Sequence, residues 1–329
     1  MTTAVPLRMP GPGARGVPGP GVTAPPAGPP RETVYRPRTP IDAGGAIRAQ
    51  QHGRNDPTQQ TVAGVTWRVS RTPLGVATLA VRPGLGAVHA AAWGPGAEWV
   101  LDQLPRLCGA ADDPAGFDAS RHPLIAEVHR RRPDLRIGRT DLVFDALASA
   151  IFEQKVTALQ AFGGWRYIVT RHGEPAPGPT PLPMFAPPAD WDLVPSWSWH
   201  RAGVEPPQSR TVVASARRRA AIERAAAAAA TGAERDRVLT SLPGVGVWTS
   251  AETRIRAFGD PDAVSFGDYH LAHHVGYALT GHRVDDDGMR ELLEPWAGHR
   301  QRVIRLIYAG GVIEPRRGPR LAPEDHRDR

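Results

Sequence analysis

Two features of this chain combine residue types and spacings that can do chemistry. Asp268 stands twenty residues after Trp248, within SFGDYHLAHH, directly before a run in which Leu271, Val275 and Leu279 repeat at helical spacing. The spacing puts Asp268 at a helix N-terminus, where a carboxylate caps orphan amides and the helix dipole favours negative charge. The same placement suits a group that must face positive charge developing on a sugar, and capping does not exclude that role. The second feature is LPGVG, residues 242–246, which turns one helix into the next. Two glycines allow positive φ and close backbone approach, so amides near Gly244 and Gly246 can point outward with a helix dipole behind them. Such a turn can hold a phosphate without side chains, although any tight helix connection also favours Pro and Gly.

The elements that must position these features can be read around them. A short helix ends near Leu242, and the helix after the turn carries Trp248, Ala251, Ile255 and Phe258 on one face. Upstream, Thr140 is expected as the N-cap of a helix with Phe144, Leu147, Ala148 and Ile151 on one face, followed by FEQKVT and a helix carrying Ala158, Phe162 and Trp165. The Pro-rich stretch Glu174 to Pro188 reads as a surface loop, and the tryptophans of WDLVPSWSWH as core packing. From Ser209 a run of high helix propensity sets Arg210, Arg217 and Arg224 seven residues apart on one face, solvated or touching phosphate. Nearer the N-terminus, VTWRVSR, GVATLAV and GAVHAAAW alternate like strands of a small antiparallel sheet. A helix from Ala97 follows them, with Pro105 kinking its last turn. The expected fold is mainly α: a tail over 1–32 too rich in Pro and Gly to order, a small antiparallel α+β domain over 33–118, a helical region over 119–312, and a charged tail over 313–329.

Composition removes several alternatives. The single cysteine, Cys108, permits neither an intrachain disulfide nor an iron–sulfur cluster. Apolar runs are too short for a membrane span or a signal peptide, so the reading is a cytoplasmic protein. A formal charge of +7 suits a polyanionic partner without demanding one. His270 and His274, four residues apart with His273 between them, invite a metal reading, but spacing supplies no third ligand, and no metal is expected. Asp285, Asp286 and Asp287 read as N-terminal charge on a following helix.

Taken together, LPGVGVWTS and the Asp of FGDYHL resemble the helix-hairpin-helix DNA glycosylases, and among them the 3-methyladenine DNA glycosylase II group, over roughly residues 33 to 312. The resemblance implies a helix-hairpin-helix helical body and a monomer acting on double-stranded DNA that contains damaged bases, at the nucleoid in a bacterium. It implies that Asp268 is the catalytic carboxylate, and that Leu242, Pro243, Gly244, Val245 and Gly246, with Thr249 beside them, contact DNA. No cofactor is implied beyond a monovalent cation often held at the hairpin. Trp248 would face the base pocket, either as a cation–π platform or as packing, and Tyr308 would line it or else be buried as ordinary core. Lys155 would stand where relatives fill the gap left by the flipped base, with Gln154 sharing that role. Bifunctional members carry a lysine where this chain has Trp248, so the resemblance implies hydrolysis of the N-glycosidic bond of an alkylated base without strand cleavage. Gly267 departs from relatives that have a second acidic residue there. Two readings stay open beside this one: a non-catalytic helix-hairpin-helix protein that binds damaged or abasic DNA, and a glycosylase for neutral oxidised or deaminated bases.

Overall fold

A computed structural model describes residues 28–312 and Glu314. The chain begins with β1 (Arg31–Tyr35) and α1 (Ala43–Arg48), then runs through β2 (Gln59–Val62), β3 (Val65–Thr72), β4 (Gly75–Gly84) and β5 (Ala87–Trp93). Helices α2 (Ala97–Leu107), α3 (Pro123–Arg131), α4 (Val143–Phe152) and α5 (Ala158–His172) follow, then the two short strands β6 (Glu174–Pro175) and β7 (Phe185–Ala186). The remainder is helical: α6 (Ser196–Arg201), α7 (Pro206–Ala216), α8 (Arg219–Ala228), α9 (Gly232–Thr240), α10 (Val247–Phe258), α11 (Leu271–Thr280), α12 (Asp286–Leu293) and α13 (Arg300–Gly310). The fold is therefore mainly α with a small antiparallel sheet. Most of the expected N-terminal tail and all of the C-terminal tail except Glu314 lie outside the described residues, whereas Arg31 and Glu32 already pair in β1.

Two units interleave along the chain: residues 28–38, 51–104 and 166–189 form one, and residues 39–50, 105–165 and 190–312 with Glu314 form the other. The division is not the contiguous one at residue 118 that the sequence suggested. In the first unit the strands are ordered β1-β5-β4-β3-β2, every pair antiparallel. Strand alternation buries Val65, Trp67 and Val69 on one face. Trp67 lies opposite Ala80, which lies opposite Ala91, and these small neighbours leave room for Trp67 to stack on Trp93 at 5.7 Å. The stretch expected as a surface loop, Glu174 to Pro188, instead covers this face with Ala176, Met184 and Ala186 buried. Gly178, at φ +91°, makes the close approach possible, because a methyl group there would lie 2.6 Å from the Trp93 ring.

The second unit is built around α4, whose residues are all buried except Asp145, and α10 packs along it. Trp191 and Trp199 join Phe152 and Trp165 in a buried aromatic cluster with neighbouring centroids about 6 Å apart, while Trp197 stays 54% exposed. Helices α3, α11, α12 and α13 enclose a separate core of Ile125, Val275, Met289, Leu293 and Ile307. Beside it Arg302 makes a buried bidentate pair with Asp112, at 2.6 and 2.9 Å. The helix expected from Ser209 is two helices, because the chain breaks at Arg217 and Arg218 between α7 and α8, so Arg210, Arg217 and Arg224 do not share one continuous helical face.

Thr140 is not the N-cap of α4. That position belongs to Leu142, and Thr140 Oγ1 accepts only the Leu142 amide, at 3.3 Å. The first-turn amides of Val143 and Phe144 donate instead to the carboxylate of Glu223 on α8, at 3.2 and 2.8 Å. Burial pushes the Glu223 carboxyl above its usual range, outweighing these amides, with Asp145 adding to the rise. Glu223→Ala is expected to cost about 1–2 kcal/mol in urea denaturation, as lost caps do, and Glu223→Gln less. A raised value means the folded state holds this proton more tightly than the unfolded chain. The wild type should therefore lose stability relative to Glu223→Gln as pH rises through the folded-state titration of this carboxyl, which the same denaturation at stepped pH checks.

Candidate active site

The hairpin between α9 and α10 is anchored from inside and bare outside. Leu242 and Val245 are buried, at 7% and 6% exposure, and the Val245 amide closes the turn onto the Leu242 carbonyl at 3.0 Å. Pro243, Gly244 and Gly246 face out. Only one of the two glycines uses its conformational freedom. Gly244 has φ +84° and lies so close to Thr211 of α7 that a methyl group would stand 2.3 Å from the hydroxyl, whereas Gly246 is extended at φ −98° with open space beside it. Gly246 is the N-cap of α10 and supplies no side-chain cap, so it leaves the first-turn amides of a twelve-residue helix without one.

Gln154 and Lys155 sit on the short connection after α4. The Gln154 amide donates to the Gly244 carbonyl at 2.9 Å and to Thr249 Oγ1 at 2.8 Å. Gln154 is thus committed to bracing the hairpin, and Thr249, 3% exposed, is its buried partner. Gln208 of α7 donates to the carbonyls of Ile151, Phe152 and Gln154, tying the end of α4 to the same place. Lys155 is exposed and held at φ +55°, a left-handed conformation uncommon for a residue with a β-carbon.

Asp268 lies on the connection from α10 to α11, partly buried. Its Oδ1 accepts the amides of His270 and Leu271, both at 2.8 Å, so it caps α11 although the assigned N-cap is His270. Its Oδ2 accepts the indole N–H of Trp248 at 3.3 Å. Trp248 occupies the first turn of α10, two residues beyond Gly246, so the hairpin and the carboxylate meet through a single side chain. Tyr308 is 46% exposed rather than part of the core. Partial desolvation raises its hydroxyl pKa, and the charges of Asp268 and Glu252 raise it further, so the hydroxyl sits in the field of both carboxylates.

The histidines form a stacked group instead of a coordination shell. His270 stacks on His274 at 5.8 Å, Tyr269 meets His270 edge-on at 4.7 Å, and His274 meets Tyr308 at 6.1 Å. Burial, followed by the neighbouring His270, lowers the His274 pKa. Among the described residues no group of three or more His, Cys, Asp or Glu side chains could hold a metal ion, and no helix is long and apolar enough to cross a membrane. Sequence reasoning missed Glu252, Ser265, Gln208 and Thr211, and read Asp286 only as N-terminal charge on α12, not as the acceptor of the Gly267 amide. Glu252 alone carried a usable signal, lying one helical turn after Trp248 on the same face of α10.

The helical body that carries this bend, with the small antiparallel sheet, has the fold seen in solved structures of DNA glycosylases. The 3-methyladenine DNA glycosylase of Archaeoglobus fulgidus matches with a TM-score of 0.70 at 16% identity, covering 85% of this chain and 98% of that one. The 8-oxoguanine glycosylase/lyase of Clostridium acetobutylicum in its apo form matches with a TM-score of 0.65 at 12% identity, covering 87% and 99%. MBOgg1 with a low-affinity DNA ligand matches with a TM-score of 0.65 at 13% identity, covering 85% and 95%. No protein-family model and no curated protein sequence matches the chain.

The hairpin geometry separates its two glycines by experiment. Gly244→Ala is expected to destabilise the protein by about 1–3 kcal/mol, through the left-handed backbone and the collision with Thr211. Gly246→Ala should cost less, about 0.5–1 kcal/mol, because alanine is a poorer N-cap than glycine but meets neither a left-handed backbone nor a collision there. Urea denaturation of the two variants side by side makes the comparison.

Proposed function

We propose that this chain is a monofunctional DNA glycosylase that flips an alkylated purine out of double-stranded DNA and hydrolyses its N-glycosidic bond, leaving an abasic site. The observation that carries the reading is the Asp268 carboxylate, held by two α11 amides and by the indole of Trp248, two residues from the bare end of the hairpin. The outward amides at Gly246 and the start of α10 are suited to a phosphate of the damaged strand. Lys155, exposed on its constrained connection, would enter the gap left by the flipped base. Neutral carbonyl oxygens at Leu242 and Gly244 each accept one hydrogen bond and keep a second lone pair, a donor set that fits a monovalent cation helping to neutralise that phosphate.

In this mechanism the bond from C1′ to the base breaks with its electron pair going to the base, and water adds to C1′ and releases a proton. An N-alkylated purine is already cationic and leaves as a neutral base, so a general acid is unnecessary. Asp268 stabilises the oxocarbenium-like sugar or orients the water. Tyr308, and the part of the Trp248 ring left open beside its N–H, offer electron-rich faces to a cationic base. The α10 side chain that touches Asp268 is an indole, which has no amine to form a Schiff base, and this supports hydrolysis without strand cleavage.

The test incubates methylated duplex, alongside duplexes carrying 8-oxoguanine or a deaminated base, with the wild type and Asp268→Asn. Free base, abasic sites and nicked strands are measured separately. The wild type is expected to release methylated purine without nicking, and Asp268→Asn to be slower by a factor of about 100 or more in single turnover. Binding without base release would reject the enzyme reading in favour of a damage-binding protein. Release only from the oxidised or deaminated duplexes, or nicking at the released site, would reject the alkylation or the monofunctional part.

A further inference from the structure

We propose that Ser265 and Glu252 are a positioning pair for Asp268, fixing through the backbone the same carboxylate that Trp248 holds through its side chain. The inference rests on Asp268 acting as proposed above. Glu252 follows Trp248 by one turn of α10, so both face the connection that carries Asp268. The Ser265 hydroxyl donates to Glu252 Oε1 at 2.5 Å, and the Ser265 carbonyl accepts the Asp268 amide at 3.2 Å. Ser265 is 3% exposed and follows the buried Ala263 and Val264, so it is the last buried residue before the chain turns out towards the carboxylate.

The remaining contacts suit a clamp better than incidental packing. Gly267 has φ +86°, and its amide donates to Asp286 Oδ2 of α12 at 2.6 Å, fixing the turn from its other side. Glu252 Oε2 accepts Arg256 Nη2 at 3.3 Å, and the same nitrogen reaches Glu153 Oε1 at 3.3 Å. Glu153 is the C-cap of α4, directly before Gln154 and Lys155. A continuous path of named contacts therefore runs from the loop bearing Lys155, through α10, to the turn bearing Asp268. A carboxylate aimed at one carbon of a sugar tolerates little displacement, since about 1 Å of misplacement can cost about 100-fold in rate. Two grips from one rigid helix restrict the Asp268 backbone and its side chain together.

The experiment measures single-turnover base release from methylated duplex, and separately the Kd for duplex containing a tetrahydrofuran abasic analogue. It uses Ser265→Ala, Glu252→Gln and the double variant, each in the wild-type and the Asp268→Asn background. Ser265→Ala is expected to slow base release about 10-fold or more with Kd changed less than about twofold, and the double variant to be no slower than Ser265→Ala, as for residues acting as one unit. In the Asp268→Asn background Ser265→Ala should have no further effect, because the group it positions is already lost. A purely structural role would slow both backgrounds alike. Should Ser265→Ala not fold, Glu252→Gln, which keeps the side-chain volume, carries the same comparison and is expected to slow release about threefold or more. Wild-type rates in the variants, equal fractional losses in both backgrounds, or a loss of binding that matches the loss of rate would each overturn the pairing. An inactive wild type would instead reject the glycosylase reading itself, so the two failures are distinguishable.

Discussion

A carboxylate can only accept hydrogen bonds, and the site depends on how the oxygens of Asp268 are divided between donors. Two backbone amides at the start of α11 engage Oδ1 and the Trp248 indole of α10 engages Oδ2, so the two oxygens are held by different elements. The side chain is therefore fixed in position and rotation wherever α10 and α11 are fixed relative to each other. Each helix is anchored in its own core, and the Trp248–Asp268 and Ser265–Glu252 bonds tie α10 to the connection that leads into α11. Helix α10 lies along the buried α4, and α11 is set in the core of Met289, Leu293 and Ile307 contributed by α12 and α13. A substitution far from Asp268 that lets α10 and α11 slide would disturb the carboxylate before it unfolded the protein.

The end of α4 is the second organising point. A helix C-terminus leaves carbonyls without intrahelical partners, and here Gln208 engages those of Ile151 and Phe152. The residues that follow are then shared out by chemistry. Glu153 turns to Arg256 on α10, Gln154 to the hairpin, and Lys155 to solvent in a left-handed conformation. Strain of this kind persists only where the surroundings over-determine the backbone, and the bonds made by Gln154 and Gln208 over-determine it on the N-terminal side. The same amide of Gln154 braces Gly244, so the hairpin and the exposed lysine are two ends of one small rigid assembly.

Much of this was legible in the sequence because the signals were local. The alternation of VTWRVSR, GVATLAV and GAVHAAAW found three strands of five, and apolar spacing found α4, α5, α10 and α11. β1 was missed because its pairing with β5 joins residues more than fifty positions apart, and only that pairing defines it. Thr140 looked like the cap of α4 because threonine caps helices locally, yet the amides went to Glu223, eighty positions away, which no local rule anticipates. The loop from Glu174 to Pro188 read as solvent-facing from its prolines, but Met184 and two alanines suffice to cover the tryptophans once Gly178 lets the backbone approach. At the candidate site, residue type and spacing singled out Asp268 and the hairpin, and the resemblance added Trp248. The bond between Trp248 and Asp268, and the commitment of Gln154 to the hairpin, depend on tertiary placement.

That bond changes how Trp248 is understood. Read from sequence, the residue was either a ring facing a base or an apolar plug. An indole is amphipathic, so one end can bond while the face stays available. A lysine at the same point would also place a donor beside Asp268, but as a charge on a flexible stem whose deprotonated amine is nucleophilic. The indole delivers a neutral, non-basic donor on a rigid ring, which fixes the carboxylate without neutralising it. For the proposed reaction that difference matters, because the charge of Asp268 must remain available to the sugar as the bond breaks, and a neighbouring ammonium would offset it. Glu252, one turn further along the same helix, is by contrast already paired with Arg256 and Ser265, so its part is to hold the turn rather than to face the substrate, and the open charge beside the indole is that of Asp268.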